Sequence, residues 1–388
     1  MSKSFILEQV RQRPYAAIEL EQPLSLDDLP TPALLLDRAA LERNIAKMAA
    51  YLEAHDKGFR PHAKTHKCPI ICQAQLAAGA VGICVAKVGE AVALIHAGIE
   101  NILITSPITT RVKAQIIAQL AATTDRLQIV VDSLHGLHIL QESLASDTSL
   151  NLLVDLDVAM GRTGVRDMDL VYQLVDTIAD DPRLTFVGVQ HYAGHVMHIA
   201  EFTQRRDKSL ALWEEVASRV GQLEGRGIAC QVVTGGGTGT YNIDVAVDVL
   251  SDLQVGSYIL MDEEYRQINS SQSERFEDFE VSLHVACATI SQPRRGTITV
   301  DGGFKAFASD SVAPVTDDHT GVAFHFGGDE HGILVLPKGE QELRLGQVLK
   351  FVAPHCDPTV NLHDYYWVLE DDGLVHSCWP ITARGCVW

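Results

Sequence analysis

The chain has 388 residues, a formal net charge of −19 at pH 7 and 46% hydrophobic residues. This length is enough for one large domain and a smaller one, but so acidic a chain lacks the basic face that binding to nucleic-acid phosphates requires. Residues 1–21 lack the apolar core of a signal peptide, and glutamine and glycine interrupt the most apolar window, residues 69–86. We therefore expect a cytoplasmic protein with neither nucleic acid nor membrane as a partner.

Strand-like and helix-like segments alternate through the first two thirds of the chain. Residues 32–37 have the pattern of a buried strand that ends on a helix N-cap, and residues 38–53 that of an amphipathic helix. Eight further apolar runs lie near residues 58–63, 81–85, 102–105, 128–131, 151–156, 185–190, 230–233 and 253–256. Runs that are apolar throughout are typical of strands buried on both sides of a parallel sheet. Eight such strand–helix units predict a (β/α)8 barrel, which we assign to residues 28–268.

Beyond residue 268 the pattern changes to short strand-like segments separated by Gly, Pro and Asp turns. The clearest of them are residues 279–288, 296–301, 332–336 and 347–352. Helical periodicity is mostly absent from this part of the chain. It predicts a second, antiparallel β domain over residues 269–388, to which we also assign the leading residues 1–27.

A basic segment, Arg60-Pro-His-Ala-Lys-Thr-His-Lys67, ends the first predicted barrel strand. Strand alternation would place Arg60, His62 and Lys64 on one face. Nearby cations and burial both lower the pKa of a lysine and make its amine nucleophilic, so Lys64 is a candidate for Schiff-base formation. The alternative is a basic strand end on the protein surface.

A glycine-rich loop at residues 234–241 follows the seventh predicted strand, and Gly256 and Ser257 follow the eighth. Barrels often bind phosphate at these two loops. Close backbone approach at Gly236 would let N–H groups converge on an anion, and the hydroxyls of Thr238 and Ser257 add donors. The loop alone is a weak signal, and a flexible turn is the alternative. Its position opposite a lysine of strand one predicts pyridoxal 5′-phosphate, whose chemistry requires an amine.

Two more strand ends carry candidate cofactor contacts. Arg162 follows a glycine just past strand five, where a cation could hold the phenolic oxygen of the cofactor, and Tyr192 follows strand six, where it could pack on the ring. The alternatives are an arginine paired with Asp155 or Asp157 and an aromatic plug of the barrel.

The predicted β domain contains His355-Cys-Asp357 before a proline. In an extended segment His355 and Asp357 would point the same way and Cys356 the opposite way. Imidazole with carboxylate is a harder ligand pair than imidazole with thiolate, so it favours Mn²⁺ or Mg²⁺ over Zn²⁺. A polar loop without metal is the alternative.

Together these motifs resemble the fold-type III pyridoxal phosphate enzymes with an alanine racemase-like barrel. Within them, the chain resembles the family of D-threonine aldolase, 3-hydroxy-D-aspartate aldolase and D-serine dehydratase, over residues 31–380. The resemblance implies that Lys64 forms the Schiff base and that Thr238, Gly256 and Ser257 hold the phosphate. It also places Arg162, Tyr192 and Tyr265 around the ring, and His355 and Asp357 on the metal.

The resemblance also implies an activity. Aldolase members usually have His-x-Asp where dehydratases have His-x-Cys, so Asp357 favours metal-dependent cleavage of D-3-hydroxy amino acids to glycine and an aldehyde or glyoxylate. His62 or a water on the metal would then take the β-hydroxyl proton. His195 is reminiscent of the dehydratases, which release ammonia and a 2-keto acid, and this reaction is the alternative. A homodimer is typical of the family.

A non-enzymatic alternative also exists, because small single-barrel proteins that resemble this chain carry pyridoxal phosphate without turning over substrate. Those proteins lack a β domain. The residues 269–388 that follow the predicted barrel here, with His355 and Asp357 among them, argue against that class.

Overall fold

A computed structural model of the protein describes residues 3–337 and 343–388. The strands of this part are, in chain order, β1 (Ile18–Leu24), β2 (Ala33–Asp37), β3 (Gly58–Phe59), β4 (Ile83–Val85), β5 (Ile102–Ile104), β6 (Gln128–Val131), β7 (Leu150–Leu156), β8 (Leu184–His191), β9 (Val232–Gly235), β10 (Asp252–Leu253), β11 (Leu283–Arg294), β12 (Thr297–Val300), β13 (Ala323–Phe326), β14 (Gly332–Val335), β15 (Val348–Val352), β16 (Tyr365–Leu369) and β17 (Val375–Pro380). The α-helices are α1 (Lys3–Arg11), α2 (Arg38–Glu53), α3 (Pro69–Ala77), α4 (Val88–His96), α5 (Arg111–Ala121), α6 (Leu134–Ser143), α7 (Met168–Ala179), α8 (Gly194–Met197), α9 (Phe202–Glu224), α10 (Tyr241–Asp244), α11 (Glu263–Arg266) and α12 (Cys356–Val360).

Strands β3 to β10 form one eight-stranded parallel sheet in the order β3-β10-β9-β8-β7-β6-β5-β4. A bridge between His62 and Cys84, with a hydrogen bond of 2.8 Å from Cys84 N to Pro61 O, joins the two ends of this sheet. The predicted (β/α)8 barrel is therefore confirmed, and each of its strands overlaps one of the eight apolar runs. The apolar runs arise because these strands are covered on both faces, as in β5, where all three residues are buried.

The helices follow the predicted apolar stripes. In α2 the face formed by Leu41, Ile45, Met48 and Leu52 is buried, and Asp37 caps the helix by accepting a hydrogen bond of 2.9 Å from Ala40 N. Within residues 3–337 and 343–388 we find no helix both long and apolar enough to cross a membrane.

The second sheet has nine strands, in the order β1-β17-β16-β2-β11-β12-β14-β13, with β15 also paired to β11. Its pairs are antiparallel except for β16 and β2, which are parallel. The predicted antiparallel β domain is confirmed, and β1 shows that the leading segment joins it through β17.

Strand β2 lies in this second sheet, although residues 33–37 fall inside the range that the sequence assigns to the barrel. It pairs antiparallel with β11, where Ala33 lies opposite Ala286 and Leu36 opposite Leu283. Leu34 and Leu36 pack in the main core, whereas Ala33 and Leu35 pack in a separate cluster on the other face of the sheet. Because both faces are covered, β2 has the same continuous apolar pattern as a barrel strand.

We expect Gly188→Ala to destabilise the barrel strongly. Gly188 in β8 has φ +150°, and a Cβ there would lie 1.8 Å from the carbonyl oxygen of Val232 in β9. Since backbone must move, the free energy of unfolding should fall by more than about 2 kcal/mol, measured by urea denaturation. The matched control is Gly221→Ala in α9. An added Cβ there would meet no atom within 4 Å apart from the backbone of its own helix, so the free energy of unfolding should rise by about 0.5–1 kcal/mol. Equal stabilities of Gly188→Ala and the unaltered protein would contradict this account.

Candidate active site

A cavity of about 500 Å³ opens at the C-terminal ends of the barrel strands. Parallel strands bring their carboxyl ends to one rim, so residues that follow different strands meet there. The sequence-predicted residues that line it are His62, Lys64, Arg162, Tyr192, Thr238, Gly256, Ser257 and Tyr265. Of the predicted barrel residues, Gly236 is outside the lining, and its neighbour Gly237 takes its place.

Lys64 lies in the turn that follows the bridge at His62, and its amine faces the second domain. Its Nζ is 2.9 Å from Oδ2 of Asp357. The carboxylate raises the pKa of Lys64 above its usual value, while burial has the opposite, smaller effect. Burial of Asp357, the largest single effect, opposes its ionisation, but Lys64 together with His355 and Thr65 outweighs it and holds the pKa of Asp357 well below its usual range.

The expectation that cationic neighbours lower the pKa of Lys64 is therefore wrong. Arg60 does not share a face with Lys64, because β3 has only two residues and the chain turns after His62. Instead, Nε of Arg60 lies 3.0 Å from Oδ1 of Asp252 in a buried ion pair. The charge of Arg60 is compensated there.

His62 lies buried at the base of the cavity and supports the Lys64 turn. Its Nδ1 accepts a hydrogen bond of 3.3 Å from the backbone N of Lys64, and its Nε2 is 3.2 Å from Oγ1 of Thr105. Burial, with a further contribution from Lys64, lowers the pKa of His62 well below its usual value. A neutral imidazole with both nitrogens engaged is suited to holding the backbone more than to taking a proton from substrate.

Backbone forms the cavity wall at the glycine-rich loop. A Cβ on Gly237 would lie 2.8 Å from Sδ of Met197, and one on Gly256 would lie 2.7 Å from Oγ1 of Thr65, so side chains are excluded at both positions. Thr238 joins the two loops, because its hydroxyl accepts a hydrogen bond of 3.0 Å from Tyr258 N. This glycine wall fits a phosphate group, since backbone can approach it closely.

Gly236 lies behind this wall and faces the interior of the protein. Its φ is +71°, and a Cβ there would lie 2.7 Å from Oδ2 of the buried Asp244. Its conformation thus serves the turn, and the residue does not approach the cavity.

Arg162 and Tyr192 face the cavity together, with the guanidinium 5.2 Å from the centroid of the tyrosine ring. The alternative pairing of Arg162 with an aspartate is not found. Asp157 instead accepts from Nε of Arg166 at 2.8 Å, and Asp155 accepts from the hydroxyl of Thr163 at 2.8 Å. Arg162 forms no ion pair with another described residue, although its charge acts on Asp155 from a distance, and its guanidinium is therefore available to an anion in the cavity.

His198, which the sequence analysis did not single out, lies beside this rim, packed against the lining residue Tyr265 but outside the lining itself. Its ring packs on Tyr265, with centroids 4.6 Å apart, and its Nδ1 lies 3.9 Å from Oε1 of Glu264. Although 37% of its side-chain surface is exposed, partial desolvation by the surrounding groups lowers the pKa of His198. The available signal was its position on the loop after strand six, which also carries Tyr192. The histidine singled out from the sequence, His195, lies on the same loop and, like His198, is exposed and outside the cavity lining.

His355 and Asp357 come from the second domain of the same chain. The expectation of an extended segment is wrong, because Cys356–Val360 forms a helical turn, α12, with His355 as its N-cap. Pro358 is compatible with the first turn of a helix, where its missing N–H leaves no bond unmade. The turn directs Asp357 toward Lys64, while Nδ1 of His355 lies 2.8 Å from Oδ2 of Asp310.

His355 and Asp357 could bind a divalent metal only if further ligands completed its coordination. Among the residues that the structure describes, no group of three or more His, Cys, Asp and Glu side chains could hold a metal ion. A metal at His355 and Asp357 would therefore take its remaining ligands from water and substrate. The carboxylates of Asp310 and Glu264 beside His355, the latter 3.7 Å from Nδ1, make this a hard, oxygen-rich environment.

Comparisons with known proteins agree with this arrangement. The sequence profile of the alanine racemase N-terminal domain matches residues 36–263, and that of the putative serine dehydratase domain matches residues 282–369. The chain is 38% identical to D-threonine aldolase from Arthrobacter sp. and 34% identical to 3-hydroxy-D-aspartate aldolase from Paracoccus denitrificans (strain Pd 1222), in each case over 92% of this chain and 93% of the relative. The crystal structure of D-threonine aldolase from Filomicrobium marinum superposes with a TM-score of 0.90 at 35% identity, covering 95% of this chain and 99% of that one.

We expect pyridoxal phosphate to attach to Lys64. Its turn also carries Thr65, whose hydroxyl lies against Gly256 in the phosphate-like wall. Borohydride reduction of the loaded protein, followed by peptide mapping, should find the label on Lys64. Lys87 is the matched control, because it also lines the cavity, and Lys87→Gln should retain the label that Lys64→Gln loses. A label on Lys87, or on Lys67, which is buried against Glu90, would contradict the assignment.

Proposed function

We propose that this chain cleaves D-3-hydroxy amino acids to glycine and an aldehyde or glyoxylate. The chain belongs to the family of alanine racemase-like enzymes that includes the D-threonine aldolases, and the proposal proceeds from this membership. It is a lyase of the aldolase type, and its fold and relatives imply pyridoxal phosphate as cofactor. Dependence on a divalent metal, Mn²⁺ or Mg²⁺ before Zn²⁺, and a substrate of the D-threonine or 3-hydroxy-D-aspartate type are the finer parts of the proposal.

One observation carries the proposal. Lys64 lies in one cavity between a glycine-lined wall suited to phosphate and the carboxylate of Asp357, 2.9 Å away. An amine, an anion-binding wall and a hard ligand pair are the three elements that the aldol cleavage of a hydroxy amino acid requires. All of them come from a single chain, so the metal pair need not be supplied by a partner subunit.

Each residue has a distinct part in the proposed reaction. When bound, pyridoxal phosphate supplies the carbonyl for a Schiff base and delocalises the electron pair left at Cα when the Cα–Cβ bond breaks. Lys64 supplies the amine, and Thr238, Gly256 and Ser257 hold the phosphate. Arg162, Tyr192 and Tyr265 orient the ring. His355 and Asp357 would hold the metal, which polarises the β-hydroxyl.

His198 is better suited than His62 to take the β-hydroxyl proton. It packs against Tyr265 just outside the cavity lining, and the charges of His355 and Lys64 act on it, so it is within electrostatic reach of both. Because partial desolvation lowers its pKa, its imidazole is neutral near pH 7 and able to accept a proton. His62 has neither ring nitrogen available.

A dehydratase of D-serine or D-3-hydroxyaspartate is the second candidate, because the profile of the putative serine dehydratase domain matches residues 282–369. Both reactions would use the same lysine and the same phosphate wall. Asp357 favours the aldolase, since a carboxylate stands where the dehydratases that this chain resembles usually have a thiolate. A homodimer and a cytoplasmic location remain predictions.

The products distinguish the two candidates. We expect the purified protein, with pyridoxal phosphate and Mn²⁺, to release glycine with acetaldehyde from D-threonine, or glycine with glyoxylate from 3-hydroxy-D-aspartate. L-Threonine and the Lys64→Ala variant are the controls, and neither should yield glycine. Ammonia and a 2-keto acid from D-serine or 3-hydroxy-D-aspartate, without glycine, would establish the dehydratase instead.

Metal removal should stop cleavage while cofactor binding persists. The metal ligands and the phosphate wall are separate groups of residues, so chelation should leave the Schiff-base absorbance unchanged. Without a Lewis acid on the β-hydroxyl the barrier should rise by several kcal/mol, which is on the order of a thousandfold in rate. Mn²⁺ or Mg²⁺ should restore turnover, and Asp357→Cys should shift the preference toward Zn²⁺. Full aldolase activity in protein shown to be metal-free would remove His355 and Asp357 from the reaction.

A further inference from the structure

Arg205, in α9, is a fully buried cation that forms no ion pair within 4 Å among the described residues, although the carboxylates of Asp278 and Glu201 act on it from further away. Its exposed fraction is 0%, and within the described part of the chain its guanidinium donates to backbone carbonyls only. Nε lies 2.8 Å from Gly239 O, Nη1 lies 2.6 Å from Ile199 O and 3.3 Å from Ala200 O, and Nη2 donates to Asn269 O. Burial lowers the pKa of Arg205, because carbonyl dipoles do not fully replace the water that the charge has lost.

The three segments that Arg205 joins each carry a residue of the candidate site. Gly239 follows Thr238 in the phosphate-like wall, Ile199 follows His198, and Asn269 lies just after α11, which contains Tyr265. Four donors of one rigid, planar group therefore set the relative positions of these segments.

A second buried arginine on the same helix shows what is unusual about Arg205. Arg219, about four turns further along α9, is 9% exposed and donates to Val165 O at 3.0 Å. Unlike Arg205, it also forms an ion pair with Glu215. The buried carboxylate near the glycine loop, Asp244, does not pair with Arg205 either, because it accepts from Ser209 at 2.6 Å and from Thr240 at 2.5 Å.

We propose that Arg205 is a positioning residue for the cofactor phosphate: it fixes the backbone at Gly239, next to Thr238 of the cavity wall, and its buried charge is further compensated when a phosphate dianion occupies that wall. A buried charge whose nearest carboxylates, Asp278 and Glu201, form no ion pair with it is costly, and an anion held beside the neighbouring Thr238 recovers part of that cost. Arg205 does not touch the phosphate in this arrangement. The inference rests on the proposed cofactor site.

The test compares two probes that differ only in the phosphate. Pyridoxal phosphate and pyridoxal are titrated against the unaltered protein and against Arg205→Met, which removes the charge, and Arg205→Lys, which keeps it. We expect Arg205→Met to weaken pyridoxal phosphate binding about tenfold or more and pyridoxal binding less than about threefold. Arg205→Lys should reduce the ratio of the pyridoxal phosphate affinity to the pyridoxal affinity by a smaller factor. It retains the positive charge but loses the planar guanidinium and its several hydrogen bonds.

Arg219→Met is the matched control, since it removes a buried arginine from the same helix but away from the glycine-rich wall. It should leave the ratio of the two affinities unchanged. If Arg205→Met weakens the binding of both probes by the same factor, or of neither, the ratio of the two affinities is unchanged. That result would overturn the inference and make Arg205 a packing residue only. If Arg205→Met does not fold by circular dichroism, an unchanged ratio in Arg205→Lys overturns it. Failure of the unaltered protein to bind either probe would remove the proposed cofactor site, and the inference with it.

Discussion

The ion pair between Lys64 and Asp357 depends on the packing of the two domains and defines the candidate site. The two residues are about 290 positions apart in the chain, and they meet because α12 lies over the mouth of the barrel. Asp262, the N-cap of α11, connects this part of the barrel to α12. Its Oδ1 accepts from Tyr265 N at 2.9 Å and its Oδ2 accepts from Cys356 N at 2.8 Å, so one buried carboxylate caps both α11 and α12. The cavity residue Tyr265 and the helix that carries Asp357 are thereby held by the same side chain.

The charges around the cavity are divided between the domains. The barrel contributes the cations Lys64, Lys87 and Arg162 to the lining, although the whole chain carries a net charge of −19. The β domain places Asp310 and Asp357 beside the cavity, outside its lining, where they contact His355 and Lys64 respectively. A phosphate or an amino-acid carboxylate is favoured on the barrel side and a divalent cation on the other, because each is attracted by the charge nearest to it. This division is the electrostatic counterpart of the proposed roles of cofactor and metal.

The arrangement of sheets explains why the second domain can supply active-site residues with little freedom of movement. Strand β2 belongs to the nine-stranded sheet, yet Leu34 and Leu36 pack into the main core, which also contains the helices of the barrel. The second domain therefore shares a hydrophobic core with the barrel. A shared core restricts relative motion more than a polar interface between separate domains would. The distance between Asp357 and Lys64 is consequently a property of the fold.

Much of this protein follows from its sequence. The eight strands, the antiparallel domain and the strand-end residues Lys64, Thr238 and Ser257 were predictable, because parallel strands of a barrel bring their ends to one rim. The carboxylate that faces Lys64, the helical turn at Asp357 and the place of His198 depend on how distant segments pack. Local periodicity reports that a residue is buried and not which element covers it, which is also why β2 resembled a barrel strand. The sequence by itself therefore determined the elements and the chemistry of their ends, whereas tertiary packing alone decided which charges meet across the two domains.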